Sequence, residues 1–135
     1  MTEYKKIVPA IDPDSAPYWD GARAGKLMIQ RCNKTGQTFL YSRQLVPGVD
    51  ESQVEWVEAS GKGEIYSFTV ARRPAGAAFA DDCPYVIASI TLEEGARIMT
   101  NVVTDDVDSV KIGMPVIVFF DQVSDELTIP KFKPL

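Results

Sequence analysis

The chain has 135 residues, of which 45% are hydrophobic, and its 14 Lys and Arg residues against 19 Asp and Glu residues give a formal net charge of -5. A chain of this length can bury one main core with a short appendage, and its negative charge disfavours binding to nucleic-acid phosphates. The sequence contains no histidine, which removes the commonest general base and metal ligand and disfavours self-contained hydrolytic catalysis.

The chain carries no sign of export or of membrane insertion. No basic segment followed by an apolar run opens it, and no apolar stretch approaches the roughly 20 residues that a spanning helix needs. Its two cysteines, Cys32 and Cys83, are too few for a disulfide framework. The sequence therefore predicts a cytoplasmic protein with reduced thiols and no membrane partner.

The first 25 residues are predicted to form an arm and a helix. Residues 1–13 are polar and include Pro9 and Pro13, which favours an extended arm on the surface. Asp14 or Ser15 is expected to cap a short helix that runs to about residue 24, with Gly25 as its terminator.

Residues 26–53 are predicted to form a small unit of hairpins. The segments 27–31 and 38–41 have strand composition, and turn-forming residues occupy positions 33–36 between them. A loop around Pro47, Gly48 and Asp50 follows. The unit is expected to be a hairpin followed by a loop.

Residues 54–135 read as a succession of β-strands. The predicted strands are 54–58, 64–72, 85–92, 96–103, 114–121 and a short one near 127–129. A long loop at 74–82 and a turn at 93–95 separate the middle strands, and a turn or one helical turn is expected within 105–113. Strict alternation in the strand 64–72 would place Tyr66, Phe68 and Val70 on one face and the residues between them on the other. This pattern favours a mainly β protein with a five-stranded OB-fold barrel over a β-sandwich.

Several short motifs, in this order and spacing, resemble the DUF35 family, in which a helix and a rubredoxin-like zinc ribbon precede an OB-fold. The resemblance covers nearly the whole chain. The motifs are Tyr18-Trp19-Asp20-Gly21, Gln30-Arg31-Cys32, the run from Val54 to Gly63, Tyr66-Ser67-Phe68-Thr69-Val70, Phe79-Ala80-Asp81, Pro84-Tyr85-Val86, Leu92-Glu93-Glu94-Gly95, Ile112-Gly113-Met114-Pro115-Val116 and Pro130-Lys131-Phe132.

The family's zinc ribbon carries two Cys-x-x-Cys pairs, because a structural zinc takes four protein ligands. In this sequence Cys32 stands at the first ligand position, Thr35 at the second, and Val46 and Val49 at the third and fourth. With no histidine to substitute, we expect a degenerate, metal-free ribbon in which a small hydrophobic contact replaces zinc. The alternative for Cys32 is a ligand shared with another chain.

Four residues are candidate contacts to an acyl-CoA thioester. Arg72 and Arg73 end a long strand in an otherwise acidic chain, and arginine binds phosphate groups well; an acidic patch on a partner or plain solvent exposure is the alternative. Phe79 and Tyr85 are candidates to line an apolar groove, with ordinary core packing as the alternative. Cys83 has acidic neighbours, which disfavour a reactive thiolate, so it is read as a structural thiol.

The resemblance implies that this chain acts together with a larger enzyme subunit. Proteins similar to this one are partners of thiolase-like enzymes, aldolases and hydratases that act on acyl-CoA intermediates, and the larger subunit supplies the catalytic residues. We therefore expect a non-catalytic accessory subunit, in a heteromeric complex, that stabilises its partner and helps to bind or pass acyl-CoA, with no cofactor of its own. A free-standing acyl-CoA or lipid-binding protein is the alternative. Candidate residues for the partner interface, or else for internal packing, are Tyr18, Trp19, Phe39 and Tyr41.

Overall fold

The computed structural model describes residues 4–49 and 53–135, so residues 1–3 of the predicted arm and residues 50–52 of the predicted ribbon lie outside the described residues. Within the two ranges one α-helix precedes eight β-strands. Their bounds are α1 Ala16–Arg23, β1 Met28–Cys32, β2 Thr38–Phe39, β3 Val54–Glu58, β4 Lys62–Ala71, β5 Tyr85–Leu92, β6 Arg97–Val102, β7 Pro115–Gln122 and β8 Thr128–Pro134, with short 3-10 helices at Ala77–Asp82 and Val107–Ser109.

The helix α1 lies where the sequence predicts it, and local chemistry explains both of its ends. Ser15 occupies the N-cap, although its hydroxyl does not cap the helix, and a proline stands in the first turn, where its missing N–H is not needed. The Asp12 carboxylate accepts a hydrogen bond from the Ser15 N–H at 2.8 Å. Gly25 follows the helix with φ of 76°, a left-handed conformation that glycine adopts without strain.

The first sheet has three antiparallel strands in the order β2-β1-β3. The strand β3, which the sequence analysis grouped with the barrel, pairs along its whole length with β1, from Met28 opposite Glu58 to Cys32 opposite Val54. The turn between β1 and β2 is closed by the Gly36 N–H, which donates to the Cys32 carbonyl at 2.7 Å. We call this sheet and its turns the ribbon.

The second sheet is a closed barrel in the order β4-β5-β6-β8-β7. β4 pairs with both β5 and β7, which closes the barrel, and β8 runs antiparallel to β7 but parallel to β6, with Val102 opposite Phe132. This five-stranded mixed barrel confirms the predicted mainly β class and the OB-fold.

Ribbon and barrel share one hydrophobic core. Alternate residues of β5 from Val86 to Leu92 are buried, as expected for a strand with one face inward. Phe132 of β8 is fully buried, and Ile29 of β1 and Leu27 just before it belong to the same buried cluster. The ribbon is held to the barrel by the Thr38 hydroxyl, which donates to the Glu94 carbonyl at 2.7 Å.

The prediction for the faces of β4 is wrong at two residues, Ile65 and Tyr66. The register between β4 and β5 shifts between Ile65 and Ser67, so Tyr66 is the extra residue of a β-bulge, which interrupts the alternation of faces. Ile65 therefore faces the core together with Phe68 and Val70, whereas Tyr66 is 52% exposed.

Candidate ligand cavity and partner surface

A cavity of about 520 Å³ lies against the barrel, between the segment that precedes β5 and the strands β6, β7 and β8. Its walls are mainly apolar and aromatic, with a few charged side chains, a composition typical of small-molecule sites. Its apolar walls include Phe79, Tyr85, Val86, Val102, Val103, Val107, Phe119 and Ile129, and its charged side chains are Lys6, Asp82, Asp121 and Lys131.

The structure brings the predicted residues Phe79 and Tyr85 together in this cavity. Phe79 lies in the 3-10 helix before β5, Tyr85 is the first residue of β5, and their ring centroids are 5.8 Å apart. The Tyr85 hydroxyl accepts a hydrogen bond from the Ala75 N–H at 3.3 Å, which holds the preceding loop close to the strand. Both rings are half-buried and face a space large enough for a ligand. Their role in acyl-CoA binding stays a prediction.

The charged side chains of the cavity form two ion pairs. Lys6 Nζ lies 2.5 Å from an Asp82 carboxylate oxygen, and Lys131 Nζ lies 2.6 Å from an Asp121 carboxylate oxygen. The hydrogen bond to Asp82 raises the pKa of Lys6, and the nearby charge of Asp121 acts in the same direction. The ammonium group of Lys6 also lies 5.2 Å from the centroid of the Phe79 ring, within reach of a cation–π contact.

The predicted phosphate-binding residues Arg72 and Arg73 do not line the cavity. Arg72 donates to the Asp108 carboxylate at 3.2 Å, and both side chains are largely exposed. Because Asp108 follows Val107, which does line the cavity, this pair ties the end of β4 to the cavity rim. Arg73 is exposed on the loop. Their contact with CoA phosphates stays a prediction.

The N-terminal arm contributes to the cavity in a way that the sequence analysis missed. Tyr4 and Lys6 line it, and Ile7 lies at its edge with a side chain that is 94% exposed, although the arm was expected only to lie on the surface. Lys131 and Asp121 were also missed, because a Lys or Asp in a strand gives no sequence signal for the cavity that it faces. The one available hint was the arm's mixture of lysine and β-branched apolar residues at positions 5–8.

The four aromatic residues predicted for the partner interface occupy different environments. Tyr18 is half-buried and packs edge-on against Trp19, with ring centroids 4.9 Å apart, and burial raises the pKa of Tyr18. Phe39 is buried, with the Arg43 guanidinium 4.5 Å from its ring centroid. Tyr41 is 69% exposed. Packing therefore already occupies Tyr18 and Phe39, while Tyr41 presents a free aromatic surface.

The two turns that would carry zinc ligands are present, but only one of the four ligand positions, Cys32, holds a cysteine. Cys32 is fully buried, and the hydroxyl of Thr35 hydrogen-bonds to its sulfur and lowers the pKa of the thiol. Val46 and Val49 pair across the second turn, where the Val49 N–H donates to the Val46 carbonyl at 2.9 Å. One thiol does not fit a structural zinc site, and residues 4–49 and 53–135 hold no group of three His, Cys, Asp or Glu side chains placed to bind a metal. That the protein binds no zinc stays a prediction.

Within the part of the chain that the structure describes, no helix is long and apolar enough to cross a membrane.

The chain is similar to a known domain family and to several known proteins. Residues 56–121 match a family model described as the C-terminal OB-fold domain of ChsH2. Over 97 residues the chain is 38% identical to a DUF35 domain-containing scaffold protein of Methanothermobacter thermautotrophicus, covering 71% of this chain and 72% of that protein. Over 126 residues, 93% of this chain, it is 37% identical to a probable enoyl-CoA hydratase alpha subunit of Thermomonospora curvata, of which it spans only 39%.

Among solved structures, a chain of the Ltp2-ChsH2(DUF35) aldolase superposes on this protein with a TM-score of 0.82. The two share 37% sequence identity, and the match covers 94% of this chain and 98% of the other. The resemblance therefore extends over the helix, the ribbon and the barrel.

Proposed function

Because this chain belongs to the DUF35 family, we propose that it is a non-catalytic accessory subunit of a thiolase-like, aldolase or hydratase enzyme that acts on acyl-CoA. The observation that carries this proposal is the full-length match to the DUF35 chain of an aldolase, at a TM-score of 0.82 and 98% coverage of that chain. A chain without histidine suits a subunit whose partner supplies the catalytic groups.

The exposed apolar side chains of the ribbon support a partner interface there. Tyr41 is 69% exposed and Leu45, four residues later, is 64% exposed, and exposed aromatic side chains are typical anchors of protein interfaces. The same segment is fixed to the start of the helix, because the Gln44 side-chain amide donates to the Asp14 carboxylate at 2.9 Å. We propose that the partner covers Tyr41 and Leu45.

The cavity supports a role in holding the thioester. An acyl or pantetheine chain would lie against the rings of Phe79 and Tyr85, and the ammonium groups of Lys6 and Lys131 would face polar groups of the ligand. Arg73, which is exposed beyond the rim, would be free to meet a CoA phosphate. We propose that the accessory subunit binds part of the acyl-CoA here and presents the remainder to its partner.

The test is co-expression with a thiolase-like, aldolase or hydratase subunit from the same organism, followed by size-exclusion chromatography and rate measurements with and without this chain. Co-elution and activity that depends on this chain are the expected results. Tyr41→Ala should abolish co-elution, whereas Ile112→Ala, which removes an equally exposed side chain (69%) in the turn before β7, should not. Separate elution with an unchanged rate would refute the subunit proposal.

Cavity variants separate ligand binding from assembly. Phe79→Ala should leave co-elution intact and raise KM for acyl-CoA about fivefold, since a lost aromatic contact costs on the order of 1 kcal/mol. Phe79→Leu keeps apolar volume and should have a smaller effect. An unchanged KM in Phe79→Ala would refute the assignment of the cavity to acyl-CoA.

The second candidate function is a free-standing acyl-CoA or lipid-binding protein. The specific observation in its favour is the size and lining of the cavity, about 520 Å³ with mainly apolar and aromatic walls, which suits an acyl chain. A monomeric protein that binds acyl-CoA in equilibrium dialysis without any partner would support it over the subunit proposal.

A further inference from the structure

The outer face of the strands β4, β5 and β6 carries an exposed aromatic side chain stacked with an arginine. The Arg97 guanidinium carbon lies 3.7 Å from the centroid of the Tyr66 ring. The Arg97 Nε also donates to the Thr91 hydroxyl at 3.4 Å. These two contacts hold the guanidinium over the ring, and no terminal amino group of Arg97 takes part in either of them.

The β-bulge in β4 is what places Tyr66 on this face. Without the extra residue, alternation would place Tyr66 on the same face as Phe68 and Val70, as the sequence predicted. The irregularity instead leaves an aromatic ring 52% exposed, while Ile65 is buried in the core. Bulges of this kind often direct a side chain toward a functional contact.

The neighbours of Tyr66 and Arg97 make the surface shallow and apolar. The strand register places Ser67 beside Ser89, and Ser89 beside Met99, so two small side chains lie next to a methionine that is 61% exposed. Tyrosine, arginine and methionine are the residues enriched in the centres of protein interfaces. We call the surface formed by Tyr66, Ser89, Arg97 and Met99 the β4–β6 patch.

Within the described ranges Arg97 forms no ion pair, whereas Arg23, Arg31 and Arg72 pair with carboxylates. Arg43 and Arg73 likewise form no ion pair in that part of the chain, so Arg97 is distinguished by its place over an exposed ring on the outer face of the barrel. In a chain of net charge -5, a prearranged cation beside exposed apolar side chains is complementary to a carboxylate flanked by apolar groups. Because stacking already orders the guanidinium, binding such a group would cost little further side-chain entropy.

We propose that the β4–β6 patch is a docking surface for the partner subunit, distinct from the ribbon surface at Tyr41. It receives a partner segment in which an Asp or Glu carboxylate binds Arg97 and an adjacent apolar side chain covers Tyr66 and Met99. The existence of that partner rests on the proposed function, but the position of the surface and the chemistry of its occupant follow from the patch itself.

The first experiment measures affinity between this chain and the thiolase-like subunit for two charge reversals. Arg97→Glu should raise the dissociation constant at least tenfold. Lys111→Glu makes the same charge change at an exposed lysine before β7 and should leave the dissociation constant unchanged. Arg97→Lys keeps the charge but loses the planar stack, and we expect an intermediate loss. Circular dichroism and a thermal melt of each variant confirm that it is folded.

The second experiment places a photo-crosslinking amino acid at Ser89 in the full-length chain, with position 111 as the control. Within the co-eluting complex, the Ser89 probe should label a partner peptide that contains an acidic residue next to an apolar one. Unchanged affinity in Arg97→Glu, or a Ser89 probe that labels only another copy of this chain or nothing beyond the control, would overturn the patch proposal alone. If the wild-type chain forms no complex at all, the proposed function fails and this proposal fails with it.

Discussion

The ion pair between Lys6 and Asp82 makes a quantitative prediction about the N-terminal arm. We expect Asp82→Ala to release the arm from the cavity while leaving the barrel folded. The two side chains are 22% and 46% exposed, so the pair is partly screened by solvent and we assign it about 1 kcal/mol. This value corresponds to roughly a fivefold increase in the population of the undocked arm.

The aromatic contact of Lys6 gives a second, separable contribution. Its ammonium group lies 5.2 Å from the Phe79 ring centroid, and a partly exposed cation–π contact contributes about 0.5 to 1 kcal/mol. Combining Asp82→Ala with Phe79→Leu should therefore raise the undocked population by about 10- to 30-fold in total. Because both changes lie outside the arm, the arm's own sequence stays constant.

Limited proteolysis by trypsin, followed by mass spectrometry of the cut after Lys6, measures this population when docking is fast relative to cleavage, because the protease must bind the ammonium group that Asp82 holds in the docked arm. The cleavage rate should rise by the factors given above. Asp81→Ala is the matched control, because Asp81 is the exposed neighbour of Asp82 and does not line the cavity. Equal cleavage rates in wild type, Asp81→Ala and Asp82→Ala would refute the conclusion that this ion pair holds the arm.

Three further predictions concern titration, packing and metal binding. Asp82 raises the pKa of Lys6, so docking of the arm should be constant at neutral pH and weaken only as pH rises above the ordinary lysine pKa of about 10.4. An NMR titration of the lysine ε-carbons should show the raised pKa of Lys6, and Asp82→Ala should return that pKa toward the ordinary value. Gly63→Ala should destabilise the protein by about 1 to 3 kcal/mol in chemical denaturation, because a Cβ there would lie 2.5 Å from the Thr91 carbonyl oxygen. The wild type should purify without zinc. Replacing Thr35, Val46 and Val49 by cysteine should create, together with Cys32, a site that binds one zinc ion, and native mass spectrometry measures the bound zinc in both proteins.

Each of these predictions has a defined contrary outcome. An NMR titration in which Asp82→Ala leaves the Lys6 value unchanged would contradict the ion-pair cause. Gly76→Ala is the packing control, since a Cβ there meets nothing within 4 Å, and equal stability of both glycine variants would contradict the steric conflict expected at Gly63. Stoichiometric zinc in the wild type, or unfolding by a chelator, would show that Cys32 binds metal with other ligands.

The sequence by itself determined the local elements and the type of fold. Strand-forming composition in residues 85–92, followed by a short turn, identified β5, and a glycine at position 25 marked the end of the helix. These features depend on contacts between residues close in the chain, which a pattern records directly. The order of the short motifs also indicated the DUF35 family, which the comparisons confirm.

Only the tertiary structure decided which residues meet. The bulge that exposes Tyr66 depends on pairing with β5, the assignment of β3 to the ribbon depends on pairing with β1, and the cavity gathers Lys6, Phe79 and Lys131 from three distant parts of the chain. A charged side chain in an arm or strand looks the same in sequence whether it faces solvent or an ion-pair partner. Strand register and the closure of the barrel fix that difference, and both are properties of the folded chain as a whole.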